Sequence, residues 1–301
     1  MKSAFGIPTK ATGIAIVFIS AFVILGGLKR VAAVTEKLVP FMAILYIIGA
    51  LIICIANIDQ FGAVFNAIFK GAFAVKAAGG GVIGYGVSRA ITWGFKRGAF
   101  SNEAGLGSSV MVHSSSNIKE PVRQGMWSIF EVFADTIVVC TLTAFCILSS
   151  DLVDLETGQM LTDIEGSGLV GQAFTVVFGS IGPKFIAIAI LLFAYSTVLG
   201  WSHYGAKAFE FLFGVKTTII YKVLFVVMTY FGCTASLSLA WDLSDTFNGL
   251  MMIPNLIGVL ALSGTVRKIT NNYIRRTLHG SKEEPMYSAF EDIQREQCLR
   301  P

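Results

Sequence analysis

Between Arg97 and Ser109 the chain reads Arg-Gly-Ala-Phe-Ser-Asn-Glu-Ala-Gly-Leu-Gly-Ser-Ser, a polar and glycine-rich run set in apolar sequence. Its side chains suit binding rather than bond cleavage. Ser101 offers a hydroxyl, Asn102 an amide and Glu103 a carboxylate, while Gly105 and Gly107 let a ligand approach the backbone closely. Irregular backbone at membrane depth survives only when buried in protein or lining a wet cavity. A helix unwound there turns the positive end of its second half toward an anionic group and leaves carbonyls for a cation. Glu103, as an intramembrane acid, is a functional candidate by default. Small residues alone would be explained by close helix packing, but packing has no use for consecutive Ser, Asn and Glu. The glycines at 79–86 resemble a dinucleotide fingerprint only superficially, because no strand precedes them.

Other polar positions are more equivocal. Ser196 and Thr197 place two hydroxyls side by side in an apolar segment. They suit a hard cation such as sodium, and they equally suit bonding to carbonyls of their own helix. Trp201 either walls a small side chain or packs, and His203 reads as locally hydrogen-bonded. Asp135 is expected to face the protein interior and to pair with a basic residue, Arg89 or Arg97, or to be protonated. Asp242 and Asp245 read as solvated or capping residues, with a gate pair to Arg97 as the alternative. A membrane-embedded enzyme would need a catalytic set. The three histidines form no HExxH motif, and His113 with Glu103 is the one pair to consider. The five cysteines form no CxxC, so no metal site or disulfide framework follows. A channel would need repeated polar rings, whereas this sequence has one polar focus.

These residues must be positioned by membrane-spanning helices. The 301 residues are 54% hydrophobic and only 14% charged, against about 25% charge in a soluble domain. The expected class is an all-α integral membrane protein. Seven apolar segments approach the roughly 20 residues a span requires: 12–28, 38–57, 83–116, 125–150, 183–213, 217–233 and 246–266. The stretch 235–245 reads as a short interfacial helix, and 59–76 as an amphipathic outer segment. Lys29, Arg30, Lys37, Lys119, Arg123, Lys207, Lys216 and the basic residues beyond 266 fall on one side of seven spans. The opposite loop, 151–166, holds acids and no Lys or Arg. The bias places the N-terminus outside and the tail in the cytoplasm of a plasma (inner) membrane protein. Lys70, Lys76, Lys96 and Arg97 are exceptions. The net charge of +4 lacks a basic stripe with interleaved aromatics, so the bilayer, and not nucleic acid, is the expected macromolecular partner.

The run from Arg97 to Ser108 resembles the alanine/glycine:cation symporter family, the sodium:alanine symporters or amino acid carrier proteins. The resemblance extends to Gly26–Val31 with Val39–Ala43, to Pro121–Gly125, to Asp135–Thr141, to Ser196-Thr197 with Gly200-Trp201, and to Asn248–Asn255. It implies a leucine-transporter-type inverted repeat with an unwound first helix in each half. Residues 1–57 would be the last two helices of the first repeat, 58–82 an outer amphipathic segment, 83–266 the second repeat with its break at 100–107, and 267–301 a cytoplasmic polar tail. The resemblance further implies symport of alanine or glycine with sodium (or protons), without a cofactor and without enzymatic chemistry, sodium being the co-transported ion. Ser101, Asn102, Gly105 and Gly107 would meet the amino acid, and Trp201 would limit its side chain. Ser196 and Thr197 would take sodium. Glu103 would hold the unwound segment by accepting backbone N–H bonds, and Arg97 and Asp135 would serve structure or gating. The family's first three core helices, with their Gly-x-Gly-Asn motif, have no counterpart here. The expectation is a chain that does not transport alone, being a truncated gene model, a partial gene, or one product of a split gene that works with a separately encoded N-terminal half.

Overall fold

The computed structural model describes residues 1–73 and 91–299. In chain order its helices are α1 (Lys2–Phe5), α2 (Thr9–Ile24), α3 (Leu28–Ala56), α4 (Phe61–Phe73), α5 (91–101), α6 (Val110–His113) and α7 (Pro121–Phe133). Seven π-helical residues, Ala134–Cys140, lead into α8 (Thr141–Leu148). Then come α9 (Ser167–Phe178), α10 (Gly182–Phe213), α11 (Thr218–Thr234), α12 (Leu237–Leu278) and α13 (Glu291–Leu299). Both α7 and α10 carry proline in their first turn, where its missing N–H leaves no intrahelical bond unmade.

Among the described residues, five helical stretches are long and apolar enough to cross a membrane: Lys29–Ala56, Pro121–Leu148, Ser167–Phe213, Val215–Thr234 and Leu237–Leu278. Phe18, Phe22, Ile55, Ile257 and Leu260 stand exposed on these helices and on α2. A surface this apolar fits lipid and not water, and the chain is an integral membrane protein.

Two compact units form, one from Met1–Trp93 with Val138–Ala240 and the other from Gly94–Ile137 with Trp241–Pro301. The core of the first unit joins α3, α8, α9 and α10 through Tyr46, Ala50, Ile53, Cys146, Phe174, Ile186 and Ala189. Phe174 is fully buried, its ring stacked 5.9 Å from Phe178 and 5.7 Å from Phe185. Gly182 sits against the Phe174 backbone so closely that a Cβ would lie 2.6 Å from its carbonyl. A second cluster, Val23, Ile24, Val31, Leu199 and Val226, ties α2 and α3 to α10 and α11.

Several boundaries differ from the sequence expectation. α9 lies in a stretch assigned to no element. At 12 residues it is too short for a span, yet it supplies the central ring of the core. The interfacial helix expected at 235–245 is the start of α12, which continues past 266 to Leu278. No glycine or proline interrupts 237–248, so polarity alone does not end the helix. The tail is partly tied down. Asn272 Oδ1 accepts the Met286 N–H at 3.0 Å, and its amide donates to the Glu284 carbonyl at 3.0 Å. Arg276 meets Glu120 at 3.2 Å. The glycines at 79–86, the boundary at 82/83 and Arg89 lie outside the described residues.

In the acidic loop, Asp154 accepts the Glu156 and Thr157 N–H groups and the Thr157 hydroxyl. The Thr157 hydroxyl, together with the Glu156 N–H, holds this carboxyl below its ordinary range. A depressed value contributes above the ordinary pKa and is lost as pH falls through the depressed one. A carbonyl NMR titration should therefore place the Asp154 midpoint below the usual Asp value of about 3.9. Thr157→Val should move it back up.

Candidate functional site

The second unit contains the polar run. α5 ends at Ser101, and the next helical turn begins only at Val110. Asn102 makes the last helical bond, its N–H on the Gly98 carbonyl at 3.1 Å. The chain then enters the left-handed region three times, at Glu103 (φ 50°), Gly105 (φ 81°) and Gly107 (φ 79°). A glutamate seldom adopts that conformation, and such strain gathers at functional sites. Leu106 and Ser108 are buried, and the Leu106 N–H bonds the Glu103 carbonyl at 3.2 Å. The Leu106 N–H is thus engaged within the turn, between the two glycines expected to meet the ligand. Glu103 Oε2 accepts the Ser108 hydroxyl at 2.7 Å and so braces the loop across itself. α6 is a single turn, so the helix-dipole contribution expected from a long second half-helix is small.

Two elements of the same unit hold the loop. From the π-helical turns, Asp135 accepts the Ser101 hydroxyl, and Thr136 donates to Asn102 Oδ1 at 3.0 Å. π-turns recur at functional sites. From α12, the Asn255 amide donates to the Gly105 carbonyl at 2.8 Å. A Cβ on Gly107 would lie only 2.5 Å from Asn255 Oδ1. Pro254, just before it, cannot donate a helical N–H and frees a carbonyl one turn back.

Asp135 does not pair with Arg97, as its charge had suggested. Arg97 instead pairs with Asp245 at 3.3 Å, and its guanidinium lies 3.9 Å from the Trp241 ring centre. Lys96 reaches the same Asp245 oxygen at 3.4 Å, and Phe100 packs edge-on to Trp241. Asp245→Ala should cost the unit about 1 kcal/mol, because these side chains are partly exposed. The loss should shrink between about 0.05 and about 1 M salt, read as a thermal midpoint. His113 does not pair with Glu103. Its Nδ1 lies 2.7 Å from the Gln124 amide nitrogen, and its Nε2 lies 3.0 Å from the Ser128 hydroxyl and 3.4 Å from Glu131.

Ser196, Thr197 and Trp201 belong to the first unit, on α10. Ser196 and Thr197 both donate to the Phe193 carbonyl, at 2.8 and 3.0 Å. Their protons are therefore engaged within the helix, while their oxygens keep lone pairs. Ser196 Oγ also lies 3.6 Å from Met42 Sδ, and Trp201 packs edge-on to Tyr204. Sequence reasoning gave no role to Asn255, Thr136 or Trp241. An amide beside a proline at membrane depth was the available signal for Asn255.

Comparison with known proteins places this geometry in context. The sodium:alanine symporter family model matches residues 1–288. The sodium/alanine symporter AgcS of Methanococcus maripaludis is 43% identical, covering 92% of this chain and 60% of that protein. The probable sodium/glutamine symporter GlnT of Bacillus subtilis is 36% identical, covering 97% of this chain and 58% of its own length. The sodium/proton-dependent alanine carrier protein of Bacillus sp. is 32% identical, covering 94% and 65%. The chain thus spans about three fifths of the length of the curated relatives it matches. The polar break is carried within a match that runs almost from end to end, and the chain belongs to the sodium:alanine symporter family, a family of transporters and not of enzymes.

Proposed function

We propose that the protein carrying this chain is a sodium-coupled symporter of a small neutral amino acid, alanine or glycine. The activity is that of a protein of the relatives' length, to which this chain contributes the segments described. The observation that carries the reading is the interruption between Ser101 and Val110, with its left-handed glycines and converging hydrogen-bonding groups. The amino acid's polar ends meet Ser101, Asn102 and the backbone at Gly105 and Gly107. Asp135 orients Ser101, and Glu103 keeps the loop in shape. Ser196 and Thr197 supply oxygens to sodium, a hard cation that takes oxygen ligands. Trp201 limits side-chain size. Alanine is favoured over larger substrates by the relative that is 43% identical and named for alanine, although another relative is named for glutamine.

Coupling follows if sodium and amino acid together stabilise the closed state that turns inward more than either does alone. Arg97 and Asp245 would form part of the outer closure. In this reading 1–57 and 83–266 are parts of two inverted repeats, and the Lys/Arg-rich loops face the cytoplasm.

Proteoliposomes of the protein carrying this chain should take up labelled alanine saturably and lose uptake when the sodium gradient is dissipated. Asn102→Ala should weaken apparent affinity by at least about tenfold, the scale of a lost hydrogen bond to a charged group. Ion current in the absence of amino acid would contradict symport.

A further inference from the structure

The first unit contains a polar cavity, of about 120 Å³, between the α2–α3 turn, the later part of α10 and the start of α11. It does not include the residues assigned above to the amino acid or sodium. Ser202, His203, Lys207, Glu210, Thr218 and Lys222 line its polar side. Lys207 is paired with Glu210 at 3.2 Å. Among the described residues, Lys222 has no carboxylate at ion-pair distance. Two ammonium groups therefore face one carboxylate, and the cavity carries an excess positive charge. Ser202 is buried and donates its proton to the Leu199 carbonyl at 2.7 Å. The positive end of the α11 dipole adds to the same field. The cavity opens to the surface, with the Lys207 side chain 43% exposed, and its net positive charge suits an anionic group.

A cavity of this size suits a phosphate group and not a nucleotide. The surface beside the cavity is strongly apolar. Phe211, Leu212, Val215, Ile219 and Ile220 are all exposed, Phe211 by 90%. A free phosphate has no use for that surface, whereas acyl chains would cover it. Basic pockets between membrane helices on the Lys/Arg-rich side are suited to anionic lipid head groups, and Lys29, Arg30, Lys207 and Lys216 lie on that side in the sequence. We propose that this cavity binds the phosphate of an anionic phospholipid, with Lys222 as its main charged contact and Lys207 as the second.

The test is native mass spectrometry of the detergent-purified chain with phosphatidylglycerol, with phosphatidylcholine and with inorganic phosphate. Phosphatidylglycerol should be retained in preference to phosphatidylcholine. Each lysine removed, by Lys222→Ala and then by Lys207→Ala with it, should weaken retention about fivefold. Lys222→Arg should keep it, which separates a charge effect from misfolding. Lys216→Ala, outside the cavity, should change nothing. Equal retention of the two lipids, full retention in the double variant or an equal loss in Lys216→Ala would overturn the proposal. Displacement of the lipid by millimolar inorganic phosphate would assign the cavity to the free anion and overturn it as well.

Discussion

Gly107→Ala is expected to remove amino-acid binding while the rest of the chain stays folded. The backbone there has φ 79°, which costs a residue with a Cβ about 1–2 kcal/mol. The new Cβ would also lie 2.5 Å from Asn255 Oδ1 and 2.8 Å from its Cγ. Asn255 must then swing away and give up its bond to the Gly105 carbonyl, a further overpacking cost of about 1–3 kcal/mol. The strain falls on the loop that the proposed function assigns to the substrate, so labelled-alanine binding should fall at least about thirtyfold, since about 1.4 kcal/mol is a factor of ten. Gly98→Ala is the control. It lies in α5 with nothing within 4 Å of the added atom, and binding should be unchanged. Asn255→Ala should weaken binding less than Gly107→Ala does. In the double variant the clash disappears, so the two effects should be less than additive.

Phe174→Ala has the largest expected effect on stability. The ring is fully buried and stacks on Phe178 and Phe185, with Tyr46 6.1 Å away. Its removal leaves a cavity where α3, α9 and α10 meet, because the neighbouring backbones are already in contact at Gly182. The cost should be about 3–5 kcal/mol, seen as a lower thermal midpoint in detergent. Phe174→Leu, which refills most of the volume, should recover more than half of the loss. If Phe174→Ala melts with the parent, the core drawn around α9 is wrong.

The main elements were legible because lipid imposes a simple rule, long apolar helices with charge kept to their ends. The break at Ser101 was legible for the same reason, since consecutive Ser, Asn and Glu conflict with that rule. α9 was not legible. Its 12 residues fall below the length of a span, and its importance comes from where Phe174 packs, which no local pattern reports. The continuity of α12 was hidden by Asp242 and Asp245, which read as a boundary although neither breaks a helix. The partner of Asp135 was misjudged because charge suggests an attraction but not an address. A nearby hydroxyl, Ser101, took the place expected of an arginine. Asn255 was visible only as part of a motif, because its contact with Gly105 spans 150 residues of sequence.

The most direct test of the symport reading is equilibrium binding of labelled alanine across a sodium titration, on the protein carrying this chain and on its Ser196→Ala/Thr197→Ala variant. Under symport, sodium raises alanine affinity, alanine raises sodium affinity by the same factor, and the variant loses this mutual dependence while Asn102 and the glycine loop still give weak binding. Alanine affinity that stays the same with and without sodium would contradict it.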